Sequence, residues 1–149
     1  MIGRMGWPAP TGNQLRKRKT LSHSEESPPL FRAPPLSCDA HFHVFGPSER
    51  YPYGSGTAEK LRYAPPLAPL AQYLKLARLL GVERFVFVQP SAYGRDNACM
   101  LDAMREIGIG RCRGIVDVSE DVPDKILAEM DRIGVRGVRI RWTWFGIRQ

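Results

Sequence analysis

The chain has 149 residues with 22 basic and 15 acidic side chains, a formal net charge of +7, and length for one ordinary domain or part of a larger one. Its 43% apolar and 25% charged residues are ordinary for a soluble globular protein. No stretch approaches the ~18 uncharged apolar residues of a spanning helix, and the start lacks the apolar core of a signal peptide.

Residues 1–36 hold six prolines and no periodicity, and are expected to be a disordered basic tail. Its one basic run, Arg16-Lys17-Arg18-Lys19, has no aromatic residues interleaved for base stacking, so nucleic acid is not an expected partner. A strand is predicted from Cys38 to Phe45, ended by Gly46-Pro47, and a long Pro-, Gly- and Tyr-rich loop over 46–67. Pro69 opens a helix whose inner face is Leu70, Tyr73, Leu74, Ala77 and Leu80, closed by Gly81. Phe85 to Val88 reads as a buried strand closed by Gln89-Pro90. Asp96-Asn97 can cap a second helix with Leu101, Met104 and Ile107 inward, and Gly114 to Val118 reads as a third strand. Asp121 and Pro123 start a third helix carrying Ile126, Leu127, Met130 and Ile133, and Val135 to Ile140 is a fourth strand.

Leu80-Gly81-Val82, Ile107-Gly108-Ile109 and Ile133-Gly134-Val135 each join a helix end to the next strand, which marks a loose internal repeat. Apolar strands alternating with helices imply an α/β fold of parallel βα units, buried on both faces. A closed (β/α)8 barrel and an open doubly wound sheet both accept such units, and the repeat alone does not choose. No phosphate-binding glycine motif follows any strand, so a nucleotide-binding module is the weaker reading. The three cysteines, Cys38, Cys99 and Cys112, are odd in number and never form C-x-x-C. This argues against a disulfide framework and a cysteine zinc site, and favours the cytoplasm.

The chemistry concentrates in Asp39-Ala40-His41-Phe42-His43. Alternation along a strand would place Asp39, His41 and His43 on one face, and Ala40, Phe42 and Val44 on the other. Two imidazoles and a carboxylate on one face suit a metal ion or an acid/base pair. Their place at the end of a first strand, before a long loop, is where barrels and open α/β sheets set their sites.

The run from Cys38 to Pro47 resembles the opening motif of the amidohydrolase-related family, in its branch of 2-pyrone-4,6-dicarboxylate lactonases. Tyr51-Pro52-Tyr53, Tyr63-Ala64-Pro65-Pro66, Val88-Gln89-Pro90-Ser91-Ala92-Tyr93-Gly94-Arg95-Asp96-Asn97, Arg113-Gly114-Ile115-Val116 and Gly134-Val135-Arg136-Gly137-Val138-Arg139 extend the resemblance in order. The resemblance implies a distorted (β/α)8 barrel and hydrolysis of a small carboxylated lactone or amide by water. It implies His41 and His43 as catalytic residues or as ligands of a divalent metal, zinc or manganese, although the lactonase-like branch can work without one. It further implies that His43, Tyr63, Ser91 and Arg139 hold substrate carboxylates.

Four strands are about half of such a barrel, which typically takes ~250 residues. No histidine follows His43, and the composition changes abruptly at residue 141. Residues 37–140 are therefore expected to be the N-terminal half of the barrel, with 141–149 a tail outside the family pattern, in a truncated hydrolase. The alternative is a non-catalytic fragment that acts by pairing with another chain. Exposed barrel edges would favour homo-oligomers, and no membrane partner is expected.

Overall fold

Each apolar run of about five residues is followed by enough chain at helical spacing to return across the sheet, so successive strands can pair in parallel. The computed structural model describes residues 29–54 and 65–140. Most of the expected tail, the loop over 55–64 with Tyr63, and residues 141–149 lie outside the described residues. The elements are β1 (Cys38–Phe42), α1 (Leu70–Leu80), β2 (Arg84–Val88), a 3-10 turn (Ser91–Tyr93), α2 (Ala98–Ile107), β3 (Cys112–Val116), α3 (Asp124–Ile133) and β4 (Val135–Val138). The four strands form one sheet in the order β1-β2-β3-β4, every pair parallel. The expected α/β architecture of parallel βα units is present.

The core lies between the sheet and its helices. Phe85 and Phe87 of β2 are 1% and 0% exposed, and pack with Phe42, Met100, Met104 and Val116. Full burial of side chains of this size contributes about 1.5–3 kcal/mol each. Gly114 gives this packing its depth: a Cβ there would lie 2.5 Å from Met104 Sδ, so the bare backbone lets α2 approach β3. Gly81 ends α1 with φ +77°, and its amide reaches Arg78 O, which is the left-handed cap that only glycine adopts without strain.

The strands differ from expectation at their ends. β1 stops at Phe42 rather than Phe45, because the chain turns there and Phe45 pairs antiparallel with Ala68 instead. β3 begins earlier and ends at Val116, and β4 ends at Val138. Helix α3 starts at Asp124 with Pro123 as its N-cap, and of its expected inner face only Met130 is buried; Ile126 and Leu127 remain largely exposed. Leu80 of α1 is likewise exposed, the apolar stripe being wider than the sheet beneath it. No described helix is long and apolar enough to cross a membrane.

Candidate active site

β1 is irregular. Cys38 and Asp39 pair with Arg84 and Phe85, but Phe42 pairs with Phe87, so one extra residue is accommodated between Asp39 and Phe42. Both partners, Phe85 and Phe87, face the helices. Asp39 is therefore on the helix side with Phe42, where its Oδ2 accepts a hydrogen bond from the Tyr73 hydroxyl of α1 at 2.6 Å. This corrects the expectation that Asp39 shares a face with His41 and His43, since simple alternation does not hold across a bulge.

His41 and His43 remain together on the opposite, inner face, with ring centroids 5.1 Å apart. His41 is exposed and its main-chain N–H donates to Asp39 Oδ1 at 3.0 Å. His43 is half-buried and donates its Nδ1 proton to Val88 O at 2.7 Å. A carbonyl accepts only, so this bond sets the tautomer and leaves Nε2 with the lone pair. Burial holds the His43 pKa below its ordinary 6.5; the charges of His41 and Arg139 push the same way, and the Val88 bond opposes them. The ring is thus neutral near pH 7.

Arg139 follows β4 and reaches past β3 to the end of β2. Its main-chain N–H donates to Val116 O at 2.6 Å, and its guanidinium donates to Gln89 O at 2.7 Å. Consecutive carbonyls of one strand end, those of Val88 and Gln89, therefore receive His43 and Arg139. Ser91 lies two residues further on, half-buried at the start of the 3-10 turn. Of the expected residues, His41, His43, Ser91 and Arg139 thus gather at the C-terminal ends of the strands, and Tyr63 falls outside the described residues.

Two supporting residues escaped the sequence reading. Gln89, 1% exposed, was legible only as a strand-closing polar residue; its Nε2 donates to Gly94 O and Asp96 O, bracing the loop that follows Ser91. Of the pair Asp96-Asn97 expected to cap α2, Asp96 accepts from the Ala98 amide, while the Asn97 side chain reaches the backbone of Asp117, just past β3. A buried polar residue between apolar runs was the available signal.

A catalytic zinc site takes three protein ligands. His41 and His43 offer two imidazoles, but Asp39 is turned to the helix side, and no group of three potential ligands gathers among the described residues. This donor set falls short of a metal centre by itself. A cavity of about 370 Å³ adjoins the site end, with Arg95, Val118, Ser119, Leu127 and Arg139 among its walls. A cavity of about 470 Å³ lies elsewhere, between the chain after β1 and helices α1 and α2, and none of the site residues lines it.

The chain is similar to known hydrolases. The amidohydrolase family model matches residues 38–145. A 4-sulfomuconolactone hydrolase of Hydrogenophaga intermedia is 45% identical over 117 residues, 78% of this chain and 37% of that protein. A 2-pyrone-4,6-dicarboxylate hydrolase of Comamonas testosteroni is 38% identical over 121 residues, 81% of this chain and 38% of that protein. Among solved structures, a probable 2-pyrone-4,6-dicarboxylic acid hydrolase from Acinetobacter baumannii, with citric acid bound, superposes with a TM-score of 0.62 at 27% identity, covering 76% of this chain and 39% of that one. The chain spans 37–38% of the length of the curated relatives it matches.

Proposed function

Because the chain belongs to the amidohydrolase family, we propose that it carries the carboxylate-binding part of a hydrolase site acting on a small carboxylated lactone. The observation that carries this reading is the convergence of Arg139 and His43 on the consecutive carbonyls of Gln89 and Val88. Anchored at its Nη1, the Arg139 fork keeps further N–H donors for a carboxylate, whose two oxygens match its planar geometry. Ser91 adds a neutral hydroxyl from the adjoining turn, and Tyr63 is assigned the same task by family resemblance. The names of the relatives, hydrolases of a sulfonated lactone and of a pyrone dicarboxylate, support an acidic lactone as substrate class.

His43 has a different task in this reading. Its Nδ1 proton is committed to Val88, so Nε2 is a lone-pair nitrogen that accepts a proton from water. Neutrality near pH 7 suits that role. His41, edge-on to His43 and exposed, is the second nitrogen donor on this face.

The test is calorimetric titration of the full chain with 2-pyrone-4,6-dicarboxylate, alongside Arg139→Met. Saturable binding that weakens at least about tenfold in the variant, which is 1.4 kcal/mol, supports the reading. Absence of binding by the wild-type chain, or equal binding by both proteins, overturns it.

A further inference from the structure

A strand of regular alternation would set the Asp39 carboxylate on the same face as His41 and His43. There it would add negative charge to the face that Arg139 makes cationic. The bulge in β1 removes it to the other side of the sheet. A carboxylate on a core-facing side is costly unless hydrogen bonds compensate it, and Asp39 receives two. The Tyr73 hydroxyl donates to Oδ2 at 2.6 Å, and the His41 main-chain N–H donates to Oδ1 at 3.0 Å.

Tyr73 is itself well fixed. Its ring stacks on Phe42 at 4.0 Å and 12°, and meets Phe85 edge-on at 5.7 Å. Burial and the neighbouring Asp39 push its phenol far above the ordinary range, so it remains a donor at any working pH. One carboxylate therefore joins α1 to the backbone of the first histidine.

We propose that Tyr73 and Asp39 are positioning residues of the candidate site: Tyr73 sequesters the Asp39 carboxylate on the helix side, which keeps the anion-binding face free of competing negative charge and pins the backbone at His41. The sequestration stands on geometry alone, and its consequence for ligands rests on the carboxylate-binding reading above.

Rescue separates this role from a merely structural one. Tyr73→Phe keeps the stacked ring and deletes the donor, and is expected to weaken binding of 2-pyrone-4,6-dicarboxylate about tenfold, as the carboxylate, left with the His41 N–H alone, shifts toward the site face. The double variant Tyr73→Phe/Asp39→Asn, which has no charge to return, is expected to regain wild-type affinity. Unchanged binding in Tyr73→Phe, or a loss that Asp39→Asn does not restore, overturns the proposal. A second measurement needs no ligand: amide hydrogen exchange at His41 should be at least about tenfold faster in Asp39→Ala, which removes its acceptor. Should the wild-type chain bind no carboxylate, or Tyr73→Phe fail to fold, this exchange measurement decides, and wild-type protection in Asp39→Ala overturns the pinning.

Discussion

The Asn97 side chain grips the backbone of Asp117 on both of its polar groups: Nδ2 donates to Asp117 O at 2.9 Å, and the Asp117 N–H donates to Oδ1 at 3.0 Å. Both residues are buried, and the same Nδ2 also donates to Arg95 O, so the loop after Ser91 is stapled to the end of β3. Asn97→Ala would strand a buried N–H and a buried C=O, each costing about 1–3 kcal/mol. The expected loss is about 2–6 kcal/mol in urea denaturation, a large share of the stability of a domain this size. A loss below about 1 kcal/mol would mean that water takes the place of the amide.

The depressed pKa of His43 has a consequence for stability. Below pH 6.5 the unfolded chain takes up a proton at this position that the folded chain refuses until a lower pH. The contribution is therefore full above 6.5 and declines as pH falls from there toward the folded pKa. Urea midpoints at pH 7.5 and 5.5 should show the wild-type chain weakening more on acidification than His43→Leu. A nitrogen-detected NMR titration should place the His43 midpoint below that of a free histidine. A midpoint at or above 6.5 would contradict the burial and the cationic neighbours that the structure gives this ring.

The parallel βα order was legible in the sequence because Val, Ile and Phe runs alternate with helical spacing, and because Gly81, Gly108 and Gly134 recur at the joints. His41, His43, Ser91 and Arg139 were legible as one candidate site through ordered motifs. Two features were not. The bulge at Asp39 turns its carboxylate to Tyr73, 34 positions away, and a local alternation rule carries no term for such a partner. Asp96-Asn97 read as a capping pair because caps and buried bridges use the same side chains, and only the arrival of β3 beside α2 shows that Asn97 bridges while Asp96 accepts at the helix start. The exposed Ile126 and Leu127 show the same limit, since periodicity marks an apolar stripe but not how much of it the sheet covers.

Arg139→Lys separates charge from geometry. Lysine preserves the positive charge but replaces the fork with a single ammonium group, which would satisfy Gln89 O or a bound carboxylate but not both in the same arrangement. The expected outcome is about tenfold weaker binding of a carboxylated ligand, with thermal stability close to wild type because the residue is only half-buried. Equal affinity in the lysine variant would show that charge alone matters at this position.

Asp102 of α2 ties the chain after β1 to the helix layer: Oδ2 accepts from Arg50 at 2.7 Å and from the Tyr51 hydroxyl at 2.8 Å, and Oδ1 accepts from Arg105 at 2.9 Å. The Tyr51 bond is the first cause holding the Asp102 carboxyl below its ordinary range, with Arg50 and Arg105 adding to it against a burial penalty, while Tyr51 is itself pushed up to about 12. Asp102 is about one-third exposed and its arginines more so, so solvent screens the pairs and the net effect is about 1 kcal/mol or less. A lowered carboxyl pKa stabilises the fold above the ordinary carboxylate value, and that share is lost as pH falls through the folded pKa. Asp102→Asn should therefore be slightly less stable than wild type from pH 7 down to about 4, and the gap should close at lower pH. A gap that persists unchanged at pH 2.5 would assign the effect to packing of Tyr51 rather than to the charge on Asp102.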